Sequence, residues 1–182
     1  MNFNDYEYEH LDLEKIKKEF SELIESFKIA KNVEGQIEAF EKIINLRNHI
    51  ETMQTLVSIR HSIDTNDEFY DKENEYMDEI SPILFSFTND FYSVLVNSKF
   101  KNKLIEKYGK LLFDLAENTL KIFSHEIIPY AQEENKLSSK YSKLIASAKI
   151  DFDGKELNLS QMVPYTQSKD RNVRIEAARK VA

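Results

Sequence analysis

The sequence contains one histidine followed directly by a glutamate, His125 and Glu126 in the stretch SHEIIPY. The zinc-protease motif H-E-x-x-H begins in this way, and its two histidines, at positions i and i+4 of a helix, bind one ion from the same face. The glutamate then polarises the metal-bound water. Here the residue four positions after His125 is Pro129, which has no ligand atom. The sequence therefore predicts no zinc ligand and no catalytic residue in this stretch.

The same stretch is typical of the start of a helix. Serine is a favoured N-cap, and a glutamate in the first turn lies near the positive end of the helix dipole. We therefore predict that Ser124 caps a helix that runs to about Lys149. Its spacing predicts a core-facing side formed by Ile127, Ile128, Leu137, Tyr141, Leu144 and Ile145.

The remaining histidines do not form a metal-binding pattern. Glu7 and His10 have the E-x-x-H spacing of di-iron bundles, but such bundles need two of these motifs and further glutamates. His49 and His61 have no such spacing, and the sequence has no cysteine to supply a thiolate ligand or nucleophile. A glycine-rich phosphate loop and a G-x-S-x-G elbow are also missing. We expect no catalytic residue, no metal ligand and no cofactor in this chain.

Arg60 lies in the stretch SIRHSID, where the apolar pattern of its helix predicts a hydrophobic residue. A buried arginine needs a carboxylate partner. Glu73 occupies the matching polar position in the next helical pattern. We therefore predict a structural pair between Arg60 and Glu73.

Composition and charge limit the class of protein. The chain has 182 residues with 31% charged residues, three glycines and three prolines, which is typical of a helix-rich domain. Its net charge of −7 argues against a nucleic-acid surface, which needs a basic patch. No apolar run reaches the roughly 18 residues of a membrane span, and the polar amino terminus lacks the features of a signal peptide. These features predict a cytoplasmic protein that binds neither nucleic acid nor a membrane.

Helical periodicity predicts an all-α fold of long antiparallel helices over residues 1–149. Asn32 is a candidate N-cap, and the cluster DTNDEF, residues 64–69, predicts a turn followed by a helix. Pro82 lies inside a seven-residue apolar repeat that continues on both sides. We expect it to kink this helix without ending it.

The pattern changes after residue 149, and we treat residues 150–182 as a second part. The pair Asp153-Gly154 predicts a two-residue turn in one small β-hairpin near residues 150–159. Ser160 is then expected to cap a short helix, and Ser168 and Asp170 to open a last one. This last helix has no C-cap signal, which is also expected of a chain cut from a larger protein.

Three long stretches together resemble one family over essentially the whole chain. They are LVSIRHSIDTNDEFYDKENEYMDEISP at 56–82, LVNSKFKNKLIEKYGKLLFDLAE at 95–117, and the run from Gln132 to Lys180. In this order and spacing they resemble the N-terminal region of oligoendopeptidase F, a thimet-oligopeptidase-like zinc metallopeptidase. The resemblance implies a cytoplasmic, helical enzyme that hydrolyses short peptides in a deep channel. Its H-E-x-x-H and zinc would lie in a C-terminal catalytic domain that this chain lacks.

On this resemblance the chain would be the non-catalytic helical portion that walls and caps the channel. Its partners would be its own catalytic domain and the oligopeptide substrate. A domain taken from a two-lobed enzyme should expose an apolar patch, and a dimer could form through it. We expect this patch at Leu159, Met162, Val163 and Val181. The alternative is a freestanding helical interaction or scaffold module.

Overall fold

The computed structural model describes residues 3–182, apart from the side chain of Asn4. The chain divides into two compact units, Met1–Asn135 and Lys136–Ala182. The division falls within a helix, earlier than the change of sequence pattern at residue 149. Among the helices of the described residues, none has the length and apolar content needed to cross a membrane.

The first unit consists of helices, which confirms the predicted all-α class. A 3₁₀ turn at Phe3–Asp5 precedes them, and another at His125–Ile127 leads into α6, which begins in this unit and continues into the next. The helices are α1 (Leu13–Ile29), α2 (Val33–Ile63), α3 (Glu68–Val96), α4 (Lys101–Tyr108), α5 (Lys110–Ile122) and α6 (Ile128–Ala146).

Local capping defines where the first three helices begin. The side chains of Asp12, Asn32 and Asp67 accept hydrogen bonds from backbone amides in the first turns of α1, α2 and α3. Each cap satisfies amides that a helix start leaves without a partner. The predicted cap at Asn32 and the predicted turn before α3 are therefore confirmed.

Two apolar clusters form the core of the first unit. Phe27, Phe91 and Leu104 are almost completely buried in one cluster, and Leu56 and Ile80 in the other. Leu46 and Phe87 pack against both clusters and join them. Fully burying one such side chain contributes about 1.5–3 kcal/mol relative to exposure, so these clusters are the main source of the unit's stability.

Pro82 lies inside α3, which continues to Val96 as predicted. Proline has no amide, so residue 82 cannot donate to the carbonyl of Asp78, four residues earlier. Two side chains from the first turns of α6 approach the backbone here. Asn135 Nδ2 lies 3.2 Å from the Asp78 carbonyl oxygen, and Gln132 Nε2 lies 2.6 Å from that of Glu79. The polar side of α6 therefore supplies the donor that Pro82 removes from α3.

The second unit contains the end of α6 and the predicted β-hairpin. Strand β1 (Ile150–Phe152) pairs antiparallel with β2 (Lys155–Leu157), and Ile150 lies opposite Leu157. The two turn residues have φ of 52° at Asp153 and 71° at Gly154. This left-handed backbone suits aspartate and glycine, which confirms the turn expected from the sequence.

Two helices complete this unit, α7 (Leu159–Thr166) and α8 (Arg171–Val181). Asn158 caps α7 in a capping box with Gln161, so the predicted cap at Ser160 is wrong. Asn158 lies directly before the first turn, where its side chain reaches the N3 amide. The small core of this unit consists of Ile150, Phe152, Met162 and Ala177.

The bond between Asn135 and the Asp78 carbonyl leads to a test by double-mutant cycle. Asn135→Ala should lower the free energy of unfolding by about 1 kcal/mol, because a half-buried carbonyl loses its donor. In the Pro82→Ala background the amide of residue 82 serves that carbonyl, so the cost should be less than half as large. Urea unfolding of the four proteins measures the coupling.

Asn97→Ala is the matched control, since Asn97 Nδ2 donates to the Ser93 carbonyl on the same helix. Its cost should be the same with and without Pro82. Equal costs for Asn135→Ala in the two backgrounds would show that Asn135 does not compensate for the proline.

Candidate functional site

The SHEIIPY stretch is a helix start in the structure. The backbone of Ser124 is extended, and its Oγ accepts a hydrogen bond from the Glu126 amide at 3.3 Å. This confirms the predicted N-cap, although the first turn is 3₁₀. The His125 ring packs edge-on against Phe123, and its Nε2 lies 3.5 Å from Asp90 Oδ1. Asp90 is thus the carboxylate that pairs with His125, and Pro129 contributes no ligand.

Each histidine of the described residues lies beside a single carboxylate. A zinc site needs three or four protein ligands that converge on one point. Within residues 3–182, no three side chains of His, Cys, Asp or Glu come together in this way. The described residues therefore do not fit a zinc ion. The histidine–carboxylate pairs are His10–Glu73 at 2.8 Å, His49–Glu9 at 3.7 Å, His61–Asp71 at 3.1 Å and His125–Asp90 at 3.5 Å.

Arg60 has different partners from the one we predicted. Its Nη1 donates to the Tyr70 hydroxyl and its Nη2 to the Tyr6 carbonyl, both at 2.5 Å. Its guanidinium also lies over the rings of Phe3 and Tyr70. Glu73 contacts Tyr8 and His10 instead. Two aromatic rings, one hydroxyl and one backbone carbonyl therefore take the place of the expected carboxylate. Arg60 connects the N-terminal segment, residues 3–12, to α2 and α3.

Glu73 is the second attachment point of the N-terminal segment. Its carboxylate accepts a hydrogen bond from the Tyr8 hydroxyl and lies 2.8 Å from His10 Nδ1. Burial, together with the hydrogen bond to Glu73, raises the pKa of Tyr8 well above its usual range. The hydroxyl therefore remains the donor and the carboxylate the acceptor. This arrangement positions the N-terminal segment against α3.

The apolar patch predicted near the end of the chain is only partly exposed. Met162 is completely buried, because the amphipathic α7 turns it toward Ile150, Phe152 and Ala177. Leu159 is half-buried and packs on the same cluster. Val163 and Val181 are exposed, as expected. The prediction was therefore wrong for Met162, which belongs to the core of the second unit.

A larger exposed apolar surface lies on α6, whose predicted core face is wrong. No residue of α6 is buried, and its apolar residues recur at helical spacing with exposures between 40% and 73%. We call this surface the α6 stripe. Sequence spacing identified most of its members but assigned them to the core. The stripe consists of Tyr130, Leu137, Tyr141, Leu144 and Ile145.

The surroundings of the stripe in the second unit are basic. Residues 136–182 include ten lysines and arginines and five aspartates and glutamates, a net charge of +5. Since the whole chain carries −7, the first unit carries −12. An exposed apolar stripe on a basic unit is typical of a surface that binds an apolar partner with acidic groups at its edge.

The Tyr8–Glu73 contact predicts alkaline sensitivity. Because the pKa of Tyr8 is raised in the folded protein, its contribution to stability is present below the usual tyrosine pKa of about 10 and is lost as the pH rises above it. Tyr8→Phe should lower the free energy of unfolding by about 1–2 kcal/mol at neutral pH and flatten its decline above pH 10 or so.

Thermal melts between neutral pH and about pH 11 measure this effect. Tyr130→Phe is the control, since the Tyr130 side chain is exposed. It should follow the unmodified protein at every pH. A Tyr8→Phe curve parallel to the unmodified one would show that the Tyr8 hydroxyl does not contribute.

Comparisons with known proteins agree with this architecture. A family model, the Peptidase M3 N-terminal domain, matches residues 3–123. Across 100% of the chain, a presumed oligoendopeptidase F from Bacillus anthracis str. Ames superposes with a TM-score of 0.96 and 44% identity. PZ peptidase A with inhibitor 2 superposes over 99% of the chain with a TM-score of 0.95 and 46% identity. No curated protein sequence matches the chain.

The chain spans about a third of the length of these solved structures, 33% of the first and 32% of the second. Over that third, the chain shares its fold and 44–46% of its residues with these two structures. From this match and that of the family model, the chain belongs to the Peptidase M3 N-terminal domain family, in its oligoendopeptidase F-like form.

Proposed function

We propose that this chain is the non-catalytic helical portion of a zinc metallopeptidase that hydrolyses short peptides. The observation that carries the proposal is the agreement over the whole chain, at 44% identity, with one third of a presumed oligoendopeptidase F. The zinc ion and the H-E-x-x-H motif would lie in the rest of such a polypeptide. We assign this enzyme to the cytoplasm, which is compatible with a chain that has no cysteine.

The role proposed for the chain is to wall and cap the channel that holds the peptide. The first unit has two joined apolar clusters and capped helices, which favour a rigid wall. Among the described residues, histidines and carboxylates meet in pairs and not in a metal-binding set. A rigid wall would limit access to unfolded oligopeptides and would position the catalytic portion without contributing to bond cleavage.

The α6 stripe is the surface we propose for the catalytic portion. Exposed apolar side chains at this density usually mark an interface in a soluble protein. Tyrosine, which accounts for two stripe residues, is also enriched at interfaces because one end of its side chain is apolar and the other polar. Val163 and Val181 would extend the contact or, in a chain without its partner, contribute to a dimer.

The second candidate function is a freestanding interaction module. The same stripe favours it, because an apolar helix face can bind the helix of any protein of complementary shape and charge. The two candidates differ in what completes the surface: a peptidase domain in the first and an unrelated protein in the second.

A chimera tests the first candidate. Residues 1–182 would replace the matching third of the Bacillus anthracis relative. We expect the chimera to bind zinc and to hydrolyse short fluorogenic peptides, because the helical portions share 44% of their residues. The chain alone and the remaining two thirds of the relative alone should show less than about 1% of that activity. Elemental analysis should find zinc in the chimera and none in the chain alone.

A chimera that folds and binds zinc but leaves peptides intact would contradict the proposed wall. Zinc-dependent hydrolysis by the chain alone would contradict the assignment of the chemistry to the rest of the enzyme.

The stripe itself is tested by a double substitution, Tyr141→Glu with Leu144→Glu. Both side chains are exposed, so the melting temperature of the chain alone should change by less than about 2 °C. In the chimera the new charges would be buried against the catalytic portion, and hydrolysis should fall at least about tenfold. Ser142→Glu adds a charge on the same helix away from the stripe and should leave the activity unchanged. Equal activity of both variants would exclude the stripe as the interface.

A further inference from the structure

The first unit contains a cavity of about 470 Å³ between α2, α3 and the segment that leads into α6. Pockets for small ligands usually measure about 300–1,000 Å³ and combine apolar walls with a few polar groups. This cavity has both features. Most of its wall is apolar, formed by Phe20, Ile50, Pro82, Leu84, Phe85, Phe123, Ile127, Ile128 and Ala131.

The contacts at Pro82 hold one wall of the cavity in place. Gln132 and Asn135 bond to the carbonyls of Glu79 and Asp78, and these bonds keep the first turns of α6 against α3. Asn135 and Pro82 both line the cavity. The space therefore exists before any ligand binds, which lowers the entropic cost of binding.

Arg47 provides a polar anchor at this cavity. Its side chain is 23% exposed, and both of its hydrogen bonds, to the Tyr92 hydroxyl and to Glu51 Oε1, measure 3.4 Å. Charge-assisted hydrogen bonds of arginine are usually about 2.7–2.9 Å, and the guanidinium has five N–H donors. The guanidinium also lies 5.7 Å from the centroid of the Tyr92 ring, a contact that uses no N–H donor. Several of its donors are therefore free to bind a ligand.

Glu51 is a weak competitor for Arg47. Its side chain is 63% exposed, and it lies one helical turn from Arg47. An exposed pair at this spacing contributes only about 0.3–0.5 kcal/mol. A ligand carboxylate could thus replace Glu51 at the guanidinium, while Glu51 turns into solvent.

From this geometry we propose that the cavity binds a small carboxylate on an apolar body. The carboxylate would take two parallel N–H donors of Arg47, and the apolar body would lie against the aromatic and aliphatic wall. The site is separate from peptide hydrolysis, so this proposal does not depend on the proposed function. Two sources share the chemistry: the C-terminus of a peptide that ends in a large apolar residue, and a medium-chain fatty acid.

The test titrates the full chain with N-acetylphenylalanine and with octanoate, followed by calorimetry. The neutral amides of both compounds serve as ligand controls. We expect saturable binding of at least one acid and at least tenfold weaker binding of its amide. Binding of N-acetylphenylalanine alone identifies the peptide terminus, and binding of octanoate alone identifies the fatty acid.

Three variants locate the site. Arg47→Gln should weaken binding at least tenfold. Lys42→Gln, which removes another cation of α2 paired with Glu38 at i,i+4, should not change it. Ala131→Phe keeps Arg47 but fills the cavity, and it should abolish binding.

The proposal is overturned if neither acid binds with a Kd below about 10 mM, which is a very weak affinity for a preformed cavity. It is also overturned if acids and amides bind equally, or if Ala131→Phe binds as tightly as the unmodified chain. The amide comparison uses only the unmodified chain and decides the question even if Arg47→Gln does not fold.

Discussion

The missing amide of Pro82 is the constraint on which the arrangement of α6 depends. A proline inside a helix leaves a carbonyl four residues earlier without a donor, and burying that group unpaired is costly. In this chain Asn135 donates to that carbonyl, and Gln132 donates to the neighbouring carbonyl of Glu79. Since both lie on the polar side of α6, that side faces α3. The apolar residues of the α6 stripe are exposed.

This orientation has two further consequences for the first unit. It holds the start of α6 against α3, so that the cavity beside Arg47 keeps its wall. It also leaves the two apolar clusters of α1–α5 to stabilise the unit without a contribution from buried residues of α6.

The ionisable groups of the described residues meet mainly in pairs that connect one element to another. Each histidine has a carboxylate neighbour, and the pKa of Tyr8 is shifted away from the range useful for catalysis at neutral pH. Glu73 and Arg60 instead attach the N-terminal segment to the α2–α3 pair. Groups with shifted pKa values in an active site usually converge on a cleft. Here the groups with shifted pKa values lie on separate elements, with Tyr8 in the N-terminal segment, Glu38 on α2 and Lys110 on α5.

Several features were determined by the sequence alone because they depend on neighbouring residues. The caps at Asn32 and Ser124 and the Asp153-Gly154 turn follow from local backbone chemistry, and the proline four residues after His125 removes the zinc motif without reference to the fold. The resemblance to oligoendopeptidase F was also readable, because it was spread over long stretches.

Only the tertiary structure decided the partners of residues that are distant along the chain. Helical spacing shows that Leu137, Tyr141 and Leu144 share a face, but not whether that face meets a core or solvent. Likewise, the sequence shows that Met162 is apolar, but not that the hairpin residues pack against it. We expected Arg60 to need a buried carboxylate, but the Tyr70 hydroxyl and the Tyr6 carbonyl accept its hydrogen bonds instead. In each case the missing information was the direction in which one element faces another, which periodicity along a single helix does not contain.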